Sequence, residues 1–465
     1  MTTPRVGITS YGAYLPCHRV SLSEIAGAVG SGAGRGERVA ASFDEDSTTM
    51  AVEAARAALA GAALNRTVAA DPRSLFLTTT SPPYVEKTNA VAVHAALGLG
   101  RETFAADIAG SARSAVAALL TAGESGGLAV LSDVITGRPG SADERGGGDG
   151  AAAFTFGPAE SALATLLARV SVSEEFLDRW RVPGAVTGSQ WEERFGLERY
   201  LPLITEVAEK ALVQADIGQA DHVVVVSPNS GVAKRAAKLL PGTIGTTGSP
   251  IGYAGAAGLG LALADVLDRA EPGQSILLVS AADGADALVL RATDLLPAGR
   301  QSVSVAAQLL AGRALPYFTY LNWRGLLDRE PPRRPEPDWA AAPPSARARA
   351  WKFNFAGTRC AACGFLHLPP VRVCKGCGVV DKMTAESLAA RQGSVATFTV
   401  DRLAFSPSPP VVDAVVDFDG GGRYSLEVAD ADPEAIGVGT RVGLTFRRLG
   451  TTGGVHNYFW KAKAL

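Results

Sequence analysis

The chain has 465 residues, a formal net charge of −2, 47% apolar residues and five cysteines. Such a length exceeds what one hydrophobic core sustains, so two or three domains are expected, and near-neutrality gives no electrostatic reason to expect nucleic acid or an anionic membrane as partner. No stretch offers the roughly eighteen uninterrupted apolar residues of a membrane span, and Met1-Thr2-Thr3-Pro4-Arg5 leads directly into strand-like alternation, so a cytoplasmic protein with a small-molecule substrate is the expectation.

In chain order, Ser74-Leu75-Phe76-Leu77-Thr78-Thr79-Thr80 reads as a strand ending at a polar site. The small-residue segment Asp107–Ala115 then opens a helix, Leu128–Asp133 forms the next strand, and Gly148–Phe154 closes the set. The order returns with a strand over His222–Ser227, a helix-opening segment over Ile251–Ala257, and strands at Ser275–Ser280 and Asp283–Leu288. Buried β runs alternating with helices, twice in one order, predict a duplicated α/β fold with halves of about 1–165 and 166–325.

Several of these segments carry a resemblance. Val6-Gly7-Ile8, Tyr14-Leu15-Pro16, Gly36-Glu37-Arg38, the run from Phe43 through Asp46-Ser47-Thr48-Thr49 to Ala55, and Tyr317–Leu321 resemble the bacterial and archaeal hydroxymethylglutaryl-CoA synthase group of the thiolase superfamily. The resemblance implies a five-layered αβαβα domain that forms a homodimer and holds an acyl-CoA thioester where its halves meet. In that family a cysteine at a helix N-terminus attacks the thioester, where backbone N–H groups and the helix dipole favour thiolate. In Asp107-Ile108-Ala109-Gly110-Ser111 the cysteine position falls on Gly110, with Ser111 one residue later. The family's histidine falls near Val226 or Ser227, ahead of Pro228 and Asn229; its glutamate falls near Thr80 and its asparagine on Tyr253.

Four polar positions have thus changed together, and three readings follow. The first is retro-aldol cleavage, or aldol formation, of a 3-hydroxyacyl-CoA, which needs a base for the hydroxyl proton and an oxyanion site for the enolate but no covalent intermediate. Tyr253 would donate to an alkoxide or, with a lowered pKa, act as base; packing at a helix start is the plainer role. Thiolase-like aldolases of acyl-CoA side-chain degradation also lack the cysteine and act with a zinc-ribbon partner, and the chain looks like them in both respects. The second is Claisen-type condensation or acyl transfer through Ser111, which would need a neighbouring base. The third is a noncatalytic acyl-CoA-binding scaffold for a partner enzyme. Asp283 stands at a strand end near the active-site loop or caps a turn. Lys234, Arg235 and Lys238 form a basic helical stretch suited to CoA phosphates or to solvent.

A proline-rich join, Arg329-Glu330-Pro331-Pro332-Arg333-Arg334-Pro335, places a linker over 326–350 after an acyl-CoA domain of 1–325. A ribbon at 351–385 follows, in which Cys360-Ala361-Ala362-Cys363-Gly364 and Cys374-Lys375-Gly376-Cys377-Gly378 form two knuckles. Four thiolates close a coordination shell, so a structural Zn2+ is expected, with rubredoxin-like iron as the alternative. Short strands at Gly393–Val400, Val411–Phe418, Arg423–Val428 and Arg441–Phe446 predict an all-β OB-type barrel over 386–465. Ribbon plus barrel is similar to the small partner subunits of archaeal thiolase and synthase assemblies and of steroid aldolases, which implies scaffolding; a hydratase or dehydratase is a candidate partner that the sequence alone does not establish.

Overall fold

Val223-Val224-Val225 and Ile276-Leu277-Leu278-Val279 are buried along their whole length, which a strand achieves when helices cover both faces of its sheet. The computed structural model describes residues 6–31, 34–64 and 72–465, and the amino-terminal Met1–Arg5 lie outside the described residues. Two compact units are distinguished: Met1–Ala41, Asp46–Val91 and Gly100–Leu326 form the first, and Ser42–Glu45, Ala92–Leu99 and Leu327–Leu465 the second. No helix among the described residues is long and apolar enough to cross a membrane.

The first unit is built on strands β1 (Val6–Tyr14), β2 (Ser74–Thr78), β3 (Phe104–Asp107), β4 (Leu128–Asp133) and β5 (Gly150–Pro158), followed by β6 (Ala164–Val172), β7 (Ala220–Val226), β8 (Gly242–Thr247), β9 (Ser275–Ser280) and β10 (Ala285–Ala292). They form one sheet in the order β8-β7-β9-β10-β6-β1-β5-β4-β2-β3. Outward from the centre, each half runs first, fifth, fourth, second and third strand of its own set. The predicted duplication is therefore a repeat of topology, joined where Gly7 and Ile8 pair with Thr165 and Ala164.

Helices α1 (Ser47–Leu64), α2 (Ser114–Ser125), α3 (Glu193–Gln214), α4 (Ser230–Leu239) and α5 (Ala257–Leu267) complete the layers. Strand alternation sorts the core. Val224, Ile276, Leu278 and Leu288 join Leu119 of α2 and Leu259 of α5 in a central cluster. The intervening Val223, Val225, Leu277, Val279 and Val289 face the other way, onto Ile204 and Val207 of α3 and Val232 of α4. Period-two geometry with both faces covered sorts the apolar side chains onto helices on either side of the sheet, the duplicated α/β arrangement expected. Helix α5 is buried on nearly every side, and a Cβ at Gly260 would stand 2.9 Å from the Ala152 Cβ.

The second unit, described by itself, begins with β11 (Ala356–Cys360), β12 (Leu366–His367) and β13 (Met383–Ser387) around the cysteine knuckles. Strands β14 (Gly393–Asp401), β15 (Val411–Phe418), β16 (Arg423–Glu427), β17 (Arg441–Thr452) and β18 (Val455–Ala464) then form an antiparallel sheet in the order β16-β15-β14-β17-β18. A bridge between Val428 and Ala462 brings its two edges together, the closure expected of an OB-type barrel. Within this unit Arg447 and Lys461, both almost wholly buried, meet the segment Ser42–Glu45. Arg447 lies 3.0 Å from Asp44 and 3.1 Å from Glu45, and Lys461 lies 2.8 Å from Asp44.

Gly260→Val places a branched side chain against a neighbouring Cβ that has no rotamer to escape into. The expected cost is about 1–3 kcal/mol, read as a lowered urea midpoint for the first unit with an unchanged slope.

Candidate active site

The site begins with Asp133, the last residue of β4, whose buried carboxylate gathers five hydrogen bonds. Thr79 Oγ1 donates at 3.2 Å, Thr80 N–H at 3.0 Å, Thr80 Oγ1 at 2.8 Å and Ser81 Oγ at 2.5 Å, all from the turn that leaves β2. The fifth donor is the Ala256 N–H at 2.8 Å, at the start of α5 in the opposite half. Burial pushes the Asp133 carboxyl up, and these donors pull it back down. The approach is so close that a Cβ at Gly255 would lie 2.0 Å from Asp133 Oδ2, and Gly255 has a φ of +53°, so glycine is required there.

This clasp fixes the Gly252-Tyr253-Ala254 turn beside the helix-opening segment of the first half. Gly110, Ser111, Thr80, Tyr253 and Asp283 all line one open cavity of about 830 Å3. Gly110 has a φ of 134°, a conformation L-residues rarely adopt, yet a Cβ there would meet only Ser114 Oγ, at 3.7 Å. Gly110, on which the resemblance puts the family's cysteine, thus lines the cavity with no side chain and with a backbone that favours glycine. Ser111 Oγ accepts the Arg113 N–H at 3.3 Å, as a residue preceding a helix does, and no histidine lines the cavity among the described residues.

Tyr253 is held by its backbone, donating to the Gly146 carbonyl at 2.8 Å and accepting from Gly148 N–H at 3.0 Å. It lies four residues before α5 rather than at the helix start. Its phenol is pushed up to about 12, chiefly by burial. This corrects the base role considered for it: at neutral pH the group is a hydrogen-bond donor. The Arg179 guanidinium sits 4.4 Å from its ring centroid, a cation–π contact that orients the ring.

The remaining expected residues divide. Ser227, Asn229 and Lys234 line an adjoining cavity that shares Tyr253 and Arg179 as a wall. Asn229 is occupied as the N-cap of α4, its Oδ1 accepting from Gly231 and Val232 N–H, and Ser227 Oγ accepts the Asn229 N–H at 3.2 Å. Arg235 and Lys238 are exposed on α4 and line neither cavity. Asp283 is exposed in a left-handed turn, its carbonyl accepting from Arg113 Nη1 at 2.6 Å.

Sequence reasoning missed three groups. Arg113, inside the quoted helix-opening segment, crosses between halves to make a two-point ion pair with Asp286 at 2.9 and 3.1 Å. Asp143 grips Arg179 in the same way at 2.6 and 2.9 Å. The third is the pair Asp178 and Tyr200, in which Tyr200 Oη donates to Asp178 Oδ1 at 3.1 Å. Asp178 and Arg179 lead into a two-stranded ribbon, Arg179–Trp180 against Ser189–Gln190, whose short strands leave no periodic signal.

In the second unit, the sulfurs of Cys360, Cys363, Cys374 and Cys377 lie within 4.8 Å of one another. Gly364 and Gly378 adopt positive φ, and their N–H groups donate to the Cys360 and Cys374 carbonyls at 2.9 Å, the knuckle turns expected from the spacing. Such a cluster suits one tetrahedral metal ion.

Asp133→Asn keeps the shape of the clasp but turns an amide NH2 toward groups that are themselves donors. A loss of about 3 kcal/mol is expected, together with weakened acyl-CoA binding, measured by thermal unfolding and calorimetry.

Comparison with known proteins agrees with this architecture. Residues 386–447 match the family model described as ChsH2, C-terminal OB-fold domain. The chain is 33% identical to the hydroxymethylglutaryl-CoA synthase of Archaeoglobus fulgidus, over 69% of this chain and 98% of the relative. It is 32% identical to that of Methanopyrus kandleri, over 68% and 95%. A solved structure of MvaS in complex with 3-hydroxy-3-methylglutaryl coenzyme A superposes with a TM-score of 0.59 at 18% identity, covering 69% of this chain and 92% of that one. Taken with the duplicated sheet, these relatives show that the chain belongs to the hydroxymethylglutaryl-CoA synthase family of the thiolase superfamily.

Proposed function

We propose that this enzyme makes or breaks the C2–C3 bond of a 3-hydroxyacyl-CoA by proton transfer and enolate stabilisation, without an acyl-enzyme. The observation that carries the proposal is Gly110: the nucleophile position has neither a sulfur nor the backbone of an ordinary side-chain-bearing residue, while the surrounding cavity keeps its polar lining. Relatives named for hydroxymethylglutaryl-CoA synthesis support carbon–carbon bond formation on an acyl-CoA as the shared chemistry. The thioester in the MvaS complex is itself a 3-hydroxyacyl-CoA. In the cleavage direction, loss of the 3-hydroxyl proton lets the C2–C3 electron pair move into the thioester as an enolate, and C3 leaves as a carbonyl. Tyr253, neutral well past the ordinary tyrosine range, supplies a donor to oxygen charge that develops in either direction. Lys234, in the adjoining cavity, is placed to meet a CoA phosphate.

A second reading, synthase-type condensation through an acylated Ser111, has the relatives' names in its favour. It lacks a histidine to activate the hydroxyl, since none among the described residues lines the cavity, and Ser111 Oγ is turned to the Arg113 amide.

For the ribbon we propose structural zinc. Zn–S bonds of about 2.3 Å in a tetrahedron set sulfur–sulfur edges of about 3.8 Å, and the pairs Cys360–Cys377 and Cys363–Cys374 stand at 3.7 and 3.5 Å. Binding free energy in such a ribbon is folding free energy. Chelation should therefore release about one zinc per chain and abolish the protease resistance of the carboxy-terminal third; a third that stays resistant without metal would contradict the assignment.

The reaction is tested by incubating the protein with a panel of 3-hydroxyacyl-CoAs and following products by mass spectrometry. A ketone or aldehyde with a shortened acyl-CoA is expected. No cleavage, with an acyl adduct on Ser111, would replace this reading with the second; CoA binding without any turnover would leave a scaffold. Tyr253→Phe should lower turnover about 10²–10³-fold while CoA affinity holds, and an unchanged rate would remove Tyr253 from the mechanism.

A further inference from the structure

With Tyr253 confined to donation, the base has to be sought among the carboxylates that line the cavity, which are Asp143, Asp178 and Asp283. Asp143 has both oxygens committed to Arg179. Asp283 is exposed, and its turn is fixed through backbone atoms: its carbonyl accepts from Arg113 and its N–H donates to Tyr200 Oη at 3.2 Å. Asp178 differs from both. It is 9% exposed, and the side-chain hydrogen bond to its carboxylate comes from Tyr200. Tyr200 is itself 1% exposed.

We propose that Asp178 is the catalytic residue that takes the 3-hydroxyl proton, with Tyr200 as the residue that positions it. The inference rests on the proposed reaction and deepens it by naming the base. Three observations support it. Asp178 reaches the same cavity as Gly110 and Tyr253, so a thioester at the vacated nucleophile position and a hydroxyl two carbons away fall within one enclosure. Its backbone is anchored on both sides: Trp191 N–H donates to its carbonyl at 2.7 Å, and the adjacent Arg179 is clamped by Asp143, Gln190 and the Tyr253 ring. Its charge environment suits proton acceptance. Burial is the largest influence and raises the Asp178 carboxyl, the nearby Asp283 raises it further, and the Tyr200 hydrogen bond and Arg179 hold it back. A carboxylate made more basic by its surroundings is better matched to this transfer than an exposed one.

The step balances without any further reactant. The Asp178 carboxylate gains the hydroxyl proton, the C2–C3 pair becomes the enolate, and C3 becomes a carbonyl. A proton then returns to C2, so the products are a carbonyl compound and a shortened acyl-CoA.

The test uses the full-length protein with Asp178→Asn and Tyr200→Phe, each checked for a wild-type thermal transition. Asp178→Asn should lower kcat by about 10²-fold or more. Tyr200→Phe should retain cleavage but move the acidic limb of kcat/KM to higher pH, because it removes a bond that favours the charged carboxylate; a purely structural role would not move that limb. Calorimetry supplies a readout that needs no turnover: the wild type should bind a 3-hydroxyacyl-CoA more tightly than its 3-deoxy counterpart, and Asp178→Asn should erase the difference. If the wild type cleaves, and both variants keep its rate and pH limb, the role of Asp178 is overturned while the reaction stands. If the wild type does not cleave but Asp178→Asn still erases the hydroxyl preference, the reaction fails and the site at Asp178 stands. Absence of both cleavage and preference overturns both.

Discussion

A single buried carboxylate holds the two halves of the first unit together at the candidate site. Asp133 ends one strand of the first half, takes four hydrogen bonds from the turn after its parallel neighbour, and takes a fifth from the helix opening of the second half. Removing a carboxylate from water is unfavourable unless its lone pairs are satisfied. Five donors meet that requirement, and in doing so they bring two chain segments more than 120 residues apart, at Asp133 and Ala256, into hydrogen-bond contact. The positions of Thr80, Gly110 and Tyr253 around one cavity follow from it. So does the glycine at 255, since any side chain there would occupy the space the carboxylate needs.

Duplication explains why such a cross-half contact exists. Each half ends its parallel strands at the same level, and open α/β sheets place ligands beyond those ends. Arg113 reinforces the join from the other direction, reaching from the first half to Asp286 and to the carbonyls of Val172 and Asp283. Between these two ties lies the open cavity that Gly110 lines without a side chain, together with Thr80, Ser111 and Tyr253.

The extent to which the sequence revealed this differs by region, for physical reasons. The duplicated strands were legible because helices cover both sheet faces and leave continuous apolar runs such as Val223–Val225. The knuckles were legible because their four cysteines are close in sequence, with glycines at the two turns. That Gly110 and Tyr253 line one cavity was legible through family resemblance. By contrast, Asp133 stood in a recognised strand, but its role depends on partners 53 and 123 residues away. Asp178 precedes, and Arg179 begins, a strand only two residues long that pairs with another of two, too short to carry a period. The base role weighed for Tyr253 failed because burial acts against the phenolate. In the barrel the reading stopped near Phe446, although β17 runs on to Thr452 and turns back into β18.

The buried cations of the barrel make one unit depend on distant parts of the chain. Arg447 and Lys461 are neutralised partly by Asp430 and Glu427 of the barrel's own region and partly by Asp44 and Glu45, contributed from some 400 residues earlier. A buried charge whose partner is removed is strongly destabilising. The second unit therefore does not coincide with a continuous stretch of chain, since Ser42–Glu45 and Ala92–Leu99 belong to it as well as Leu327–Leu465. A carboxy-terminal fragment cut out of the chain would keep both interior cations and lose Asp44 and Glu45, so the unit's stability depends on residues that no such fragment carries.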